Sequence, residues 1–355
     1  MKRVLNFNPG PAVLPEEVLK IAAENFQNYR GKGVSLSSLS HRSIEIREIV
    51  EEASRLVRDL YQLPESFEVL WLPGGASSQL NLIPLNFCSS NSKVGFFHTG
   101  FWANKAMESF AFHTQIQDMG SSAATNYDRI PDLKPQDELP DFLYLISNET
   151  IDGLQWREIP DLGMPLFVDM TSDLFTRDYP WDRIAVGFAS AQKNFGIAGI
   201  TCVLVNRKLL PQESPRPIPP IWNYRVHQSE ASLYHTLPTF PMYVAYLMLE
   251  WIAKEGGISA MDQRAKNRSA LVYEEINRNP FLESWVNTPD QSLVNACFRT
   301  SEPTHEKKLV DYLSTNQVIG IQGFPTKGGF RASMYNGMPL EDVEDFVGLL
   351  KSFEV

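Results

Sequence analysis

Short apolar runs, each stopped by a polar residue or glycine and separated from the next by a stretch of helical periodicity, constrain this chain more than any other feature. Residues 166–168 stop at Asp169, residues 184–189 stop at Ser190, and residues 200–205 form a third such run. Earlier, residues 68–72 stop at Pro73-Gly74-Gly75, and residues 93–97 and 141–146 repeat the theme. Strands this short and apolar need cover on both faces, which helices provide when they alternate with the strands of a mostly parallel sheet. The periodicity fits: Val18, Ile21, Ala22 and Phe26 share one face after Leu14-Pro15-Glu16-Glu17, and Ile46, Ile49, Ala53, Leu56, Val57 and Leu60 share another after Ser43. Ligands in such sheets bind at the carboxyl ends of the strands, so the residues just after each run are the functional candidates.

After Pro238 the pattern changes. Thr239 is expected to cap a helix over residues 241–254 that closes at Gly256-Gly257, and residues 258–277 read as a long linking helix. Strands and helices then alternate again over 292–299, 307–313, 318–321, 329–333 and 340–353. The 355 residues therefore read as two α/β units, the second smaller. Residues 211–220, rich in proline, read as a surface connection.

Charge and cysteine usage narrow the function. A net charge of -10 disfavours a general polyanion binder, so nucleic acid is not an expected partner, although a small anion needs only a local basic pocket. The three cysteines are far apart and the six histidines scattered, so neither a disulfide framework nor a metal site is expected. No run approaches the roughly 18 to 20 apolar residues of a membrane helix, and the first residues lack the pattern of a signal peptide. A cytoplasmic protein without membrane contact is the expectation.

Lys193 follows the run that ends near Ser190, between small residues, where its side chain can enter a cleft. A lysine so placed can form a Schiff base with an aldehyde cofactor; otherwise it is an ordinary surface lysine. Asp169 ends the previous strand, one crossover earlier. An acid there can be a helix cap, but a carboxylate paired with such a lysine is what pyridoxal phosphate uses to keep its ring nitrogen protonated. Gly74-Gly75-Ala76-Ser77 follows a strand and opens a helix, where free amides suit an anion. It matches neither a dinucleotide fingerprint nor a nucleotide-binding loop. Phe101-Trp102, after another strand, offers a flat aromatic face or a core tryptophan.

These residues carry a resemblance. From end to end the chain resembles the phosphoserine aminotransferases, of the fold type I, class V pyridoxal-phosphate enzymes. The matching segments are Phe7-Asn8-Pro9-Gly10-Pro11-Ala12, Ser40-His41-Arg42, Gly74-Gly75-Ala76-Ser77, Trp102, Asn148-Glu149-Thr150-Ile151-Asp152-Gly153, Asp169, Ala191-Gln192-Lys193-Asn194 and Arg331-Ala332-Ser333-Met334-Tyr335-Asn336. The resemblance implies a large domain (15–257) with a mostly parallel, seven-stranded-type sheet covered by helices, a smaller C-terminal α/β domain (258–355), and an N-terminal arm (1–14) joining the small domain. It implies pyridoxal 5'-phosphate held covalently on Lys193 as an aldimine, with Lys193 and Asp169 catalytic. Trp102 would stack on the ring, Thr150 would contact its hydroxyl side, and Ala76, Ser77 and Gln192 would hold its phosphate. A neighbouring subunit would reach that phosphate with an Asn-Thr pair, which here is His235-Thr236, so a homodimer with shared active sites is implied.

The implied activity is transamination between L-phosphoserine and 2-oxoglutarate, giving 3-phosphohydroxypyruvate and L-glutamate in serine biosynthesis. Arg331 would bind the α-carboxylate bidentately, and His41 and Arg42 would meet the distal group. One segment departs from the family. Its G-H-R-x-x-G-G is Gly323-Phe324-Pro325-Thr326-Lys327-Gly328-Gly329 here, so a His-Arg pair has become Phe324-Pro325. Lys327 would substitute only if the loop turns inward, since a lysine in a glycine-rich loop is usually solvated. The alternatives are therefore a related aminotransferase for a less anionic amino acid, and a non-catalytic scaffold of the same fold. Cys297 lies in a strand-like stretch, which argues against a desulfurase.

Overall fold

The computed structural model describes residues 4–354. Of the arm expected over 1–14, residues 1–3 lie outside the described residues. Seven strands build the central sheet: β1 (Phe67–Pro73), β2 (Lys93–His98), β3 (Gln115–Ser121), β4 (Phe142–Ile146), β5 (Leu166–Asp169), β6 (Ile184–Ser190) and β7 (Ile200–Asn206). Their spatial order is β1-β7-β6-β5-β4-β2-β3, and only β7 runs against its neighbours. A mostly parallel sheet is thus observed. Every residue of β6 and β7 is buried, because both strands lie inside the sheet with helices on either face. Burying one such Val, Leu or Phe side chain contributes about 1.5–3 kcal/mol.

Two apolar layers cover the sheet. On one face the helices Glu16–Gln27, Ile44–Tyr61 and Thr239–Lys254 pack Val18, Ile49, Val57 and Met248 against Leu143, Val168 and Leu204. On the other, Ala76–Phe87 and Phe101–Phe110 place Leu80, Ile83 and Phe110 against Phe96, Phe167 and Phe188. A third core joins Leu5 and Phe7 to Val272, Phe298, Phe330 and Phe346. The helix Gly257–Arg278 links the cores, burying Met261 in the first and Val272 in the third. Its 22 residues span about 33 Å. The C-terminal part holds an antiparallel sheet of Leu282–Glu283, Asn295–Thr300 and Phe330–Ser333, and Leu5–Asn6 runs parallel to Val318–Ile319.

Two expectations need correction, and one strand was not expected. Thr239 is the first residue of its helix rather than its cap; Pro238 holds the cap position with no side-chain bond. Phe26 is exposed, its ring resting edge-on against Phe240 with centroids 4.9 Å apart. The edge strand β3 carries Gln115, Gln117 and Asp118, which hides it from an apolar-run criterion. Among the described residues no helix is long and apolar enough to cross a membrane.

Candidate active site

Parallel strands point their carboxyl ends to one edge, and that edge collects the candidates. β1 leads through Gly74-Gly75 into the helix Ala76–Phe87, which no side chain caps. The first-turn amides of Ala76 and Ser77 are those a helix leaves without internal partners. A Cβ on Gly75 would lie 3.7 Å from Ser190 Oγ, and that hydroxyl donates to Gln192 Oε1 at 2.5 Å. The end of β1 and the turn after β6 therefore meet through Ser190.

Lys193 follows β6 and is half-buried. Burial pulls its ammonium down to about 8, against the opposing pull of Asp169, and the Arg331 charge adds to the fall. Its Nζ lies 6.0 Å from the centre of the Trp102 ring. Asp169 ends β5 on the adjacent strand, and its Oδ1 accepts the Thr171 amide at 2.9 Å. Burial pushes its carboxyl above the usual range, opposed by its bonds with Thr171 and by the charge of Lys193.

The helix Phe101–Phe110 starts after β2 and carries Trp102, whose Nε1 donates to Thr150 Oγ1 at 3.1 Å. Two carboxylates take its first amides. Asp152 Oδ2 accepts from Phe101 at 3.1 Å, and Glu149 accepts from Trp102 at 3.2 Å and from Ala103 at 2.8 Å. Burial first, and the Asp152 charge second, push Glu149 up to about 8. Both acids lie in the quoted segment Asn148–Gly153 without having been singled out. Their spacing after a buried strand, opposite a helix start with no cap of its own, was the available signal.

Arg331 comes from the C-terminal sheet. Strand alternation turns Phe330 and Ala332 into the third core and Arg331 to the other face, where Nη1 donates to the Thr150 carbonyl at 3.1 Å. Its Nε is buried without a hydrogen-bond partner. The N-terminal arm crosses the same place. The Ala12 amide donates to the Gln192 carbonyl at 2.8 Å, and the Tyr335 hydroxyl donates to the Pro9 carbonyl at 2.9 Å. Gly10 has φ +126, and a Cβ there would stand 3.3 Å from Lys193 Cγ. Gly10→Ala is accordingly expected to cost about 1–3 kcal/mol, read by chemical denaturation.

His41, Arg42, His235 and Thr236 form a separate group. His41 is near enough to His235 for its charge to act there, and His235 with Gly74, Ser78, Trp222 and His227 lines a cavity of about 550 Å³. Both His235 ring nitrogens and His41 Nε2 are buried without partners. Arg42 lines a second cavity, about 890 Å³, with Arg47, Arg58 and Tyr234. The structure does not join this group to Arg331 within one chain. Thr236 is exposed. Lys327 does turn inward, but its ammonium donates to Asp152 Oδ1 at 2.9 Å and to the Asn126 carbonyl at 2.6 Å. Phe324 sits against Phe101, with ring centroids 5.1 Å apart.

The family described as "Aminotransferase class-V" matches residues 4–346. The phosphoserine aminotransferase of Bacillus cereus is 36% identical over 358 aligned positions, covering 100% of this chain and 99% of that protein. The solved phosphoserine aminotransferase from Bacillus circulans subsp. alkalophilus superposes with a TM-score of 0.94 at 34% identity, covering 98% of each chain. The pyridoxal-phosphate-bound phosphoserine aminotransferase of Trichomonas vaginalis superposes at 0.93 with 32% identity, covering 99% of this chain and 100% of that one. This chain belongs to the class-V aminotransferases, in the family of the phosphoserine aminotransferases.

Proposed function

We propose that this aminotransferase moves the amino group of L-phosphoserine to 2-oxoglutarate, forming 3-phosphohydroxypyruvate and L-glutamate, in the serine-biosynthetic sense and in the cytoplasm. The observation that carries the reading is the full-length agreement with phosphoserine aminotransferases, joined to the gathering of Lys193, Asp169 and Arg331 at one sheet edge. The cofactor is pyridoxal 5'-phosphate. The residues present fit it: Lys193 has a lowered amine, Asp169 is a carboxylate that burial penalises until a cation faces it, and the uncapped helix start at Ala76 suits a phosphate.

When bound, the cofactor supplies a carbonyl that takes the amino group and a ring that accepts electrons. In this reading Lys193 Nζ holds the cofactor and then moves the proton taken from the substrate Cα. Asp169 would keep a proton on the ring nitrogen, and Trp102 and the Thr150 hydroxyl would help hold the ring. Ala76, Ser77 and Gln192 hold the phosphate. Arg331 presents its guanidinium to the substrate carboxylate, and the arm around Gly10 excludes water above Lys193.

A second copy completes the site. His41 stands near His235 and Arg42 shares a cavity with Tyr234, and the exposed apolar residues Ile44, Ile221, Trp222 and Tyr234 lie in the same segments. A cluster of exposed apolar side chains beside unpartnered polar groups suits an interface. In the homodimer His41, Arg42, His235 and Thr236 serve the other copy's site, the first two at the distal group and the last two at the phosphate.

Titrating the loaded protein with L-phosphoserine and, in parallel, L-glutamate tests the reading by absorbance. Conversion to the amino form of the cofactor by both supports it; conversion by glutamate alone overturns the phosphoserine assignment and keeps the aminotransferase. A second reading, a less anionic amino acid, is favoured by the Phe324 ring against Phe101. Each charge-assisted hydrogen bond is worth about 1.5–3 kcal/mol, so Phe324→His with Pro325→Arg is expected to raise kcat/KM for phosphoserine by about tenfold or more. Unchanged kinetics would mean that the distal phosphate is already met elsewhere.

A further inference from the structure

Lys327 sits in a glycine-rich loop, yet only 10% of its side chain is exposed. Several segments enclose it. Besides Asp152 Oδ1 and the Asn126 carbonyl, the rings of Tyr127 and Trp285 lie 5.6 Å and 5.5 Å from its Nζ. Asp152, whose side chain is 3% exposed, is committed at every oxygen: Oδ1 to Lys327, Oδ2 to the Phe101 amide, and its backbone carbonyl to Trp285 Nε1 at 2.9 Å. A continuous set of bonds thus runs from Lys327 through Asp152 to the first amide of the helix that carries Trp102.

The charges explain why the lysine is needed. A helix start carries roughly half a positive charge, while two buried carboxylates, Asp152 and Glu149, converge on this one. Glu149 already sits at about 8 under burial and the Asp152 charge. Lys327 supplies the positive charge that the helix lacks. Without it, Asp152 keeps a buried negative charge with no cation facing it, which loosens its hold on Phe101.

We propose that Lys327 is a positioning residue: through Asp152 it fixes the start of the Phe101–Phe110 helix, and with it the Trp102 ring. The inference rests on the role given above to Trp102. It assigns Lys327 to the frame of the site rather than to the substrate's distal group. Because the loop lies in the C-terminal part, the same bonds tie that part to the wall of the cofactor site.

The test uses the loaded full-length protein and four variants: Lys327→Met, Lys327→Arg, Asp152→Asn, and Lys327→Met combined with Asp152→Asn. Amide hydrogen exchange over residues 101–103 is read without substrate, and half-reaction rates are read with L-glutamate and L-phosphoserine. Groups in one buried network are strongly coupled, so Lys327→Met should speed exchange there by roughly tenfold and slow both half-reactions by a common factor. The neutral pair in the double variant should regain part of the protection, since the carboxamide oxygen that Asp152→Asn introduces still accepts from Phe101 with no charge left uncompensated. Lys327→Arg should also preserve part of it. Unchanged exchange in Lys327→Met, with a raised KM for phosphoserine alone, would overturn the proposal and make Lys327 a substrate contact. The exchange and glutamate arms decide the matter even for a protein that does not use phosphoserine. If Lys327→Met does not fold, Asp152→Asn decides it, because it leaves the Lys327 charge without its carboxylate: normal exchange at 101–103 in that variant overturns the proposal.

Discussion

Lys193→Ala is expected to leave transamination undetectable, a fall of at least about 10⁴-fold, in a protein that remains folded. The loss is large because, in the proposed reading, one amine would both hold the cofactor and move the proton. Lys327 does not stand in, since it is engaged by Asp152 and the Asn126 carbonyl. Folding should survive, because Lys193 is half-buried at a cleft and contributes nothing to the apolar clusters. Single-turnover absorbance with L-glutamate and a thermal melt check the two halves. Turnover at the parent rate would remove Lys193 from the chemistry. The same residue sets the pH dependence of cofactor uptake by cofactor-free protein. Only the neutral amine attacks a carbonyl carbon. An ammonium brought down to about 8, chiefly by burial, is neutral at lower pH than an ordinary lysine near 10.4. Uptake should therefore speed up as pH rises through about 8 and then level off. Removing the Arg331 charge, which adds to the fall, should move that midpoint upwards. A rate that keeps climbing into the ordinary lysine range would mean that the site does not tune this amine.

The proposed catalytic pair was legible because topology and chemistry coincide there. Asp169 and Lys193 each come after an apolar run, and adjacent parallel strands bring their carboxyl ends together whatever the details of packing. The edge strand β3 was illegible for the opposite reason: it has a neighbour on one side only, and Gln115, Gln117 and Asp118 show no apolar alternation. The reversal of β7 was equally hidden, since its run is as apolar as that of β6. His41 and Arg42 were legible as residue types but not in their placement, because local pattern does not say which distant segment a loop will meet. Lys327 shows where composition misleads. A lysine among glycines reads as solvated, whereas Asp152, Tyr127 and Trp285, all remote in sequence, make it a buried cation.

Arg331→Ala should lower kcat/KM for every amino donor by about 10²- to 10⁴-fold, the worth of two charge-assisted hydrogen bonds at about 1.5–3 kcal/mol each. The α-carboxylate is common to all donors, so L-glutamate and L-phosphoserine should lose by similar factors. That separates Arg331 from the Phe324-Pro325 exchange, which is expected to move phosphoserine alone. Arg331→Lys should recover little, because an ammonium is a point charge and does not make two parallel bonds to a carboxylate. The position suits the role. The guanidinium is held by one bond to the Thr150 carbonyl, which aims it, while Nε lies buried without a partner. An unpaired buried donor is costly unless a ligand arrives to accept from it. The same reasoning fixes the effect on stability: Arg331→Ala removes that cost along with the Thr150 bond, so the substrate-free protein should melt close to the parent even as catalysis collapses. A loss confined to phosphoserine would instead place Arg331 at the distal group and leave the carboxylate to another cation.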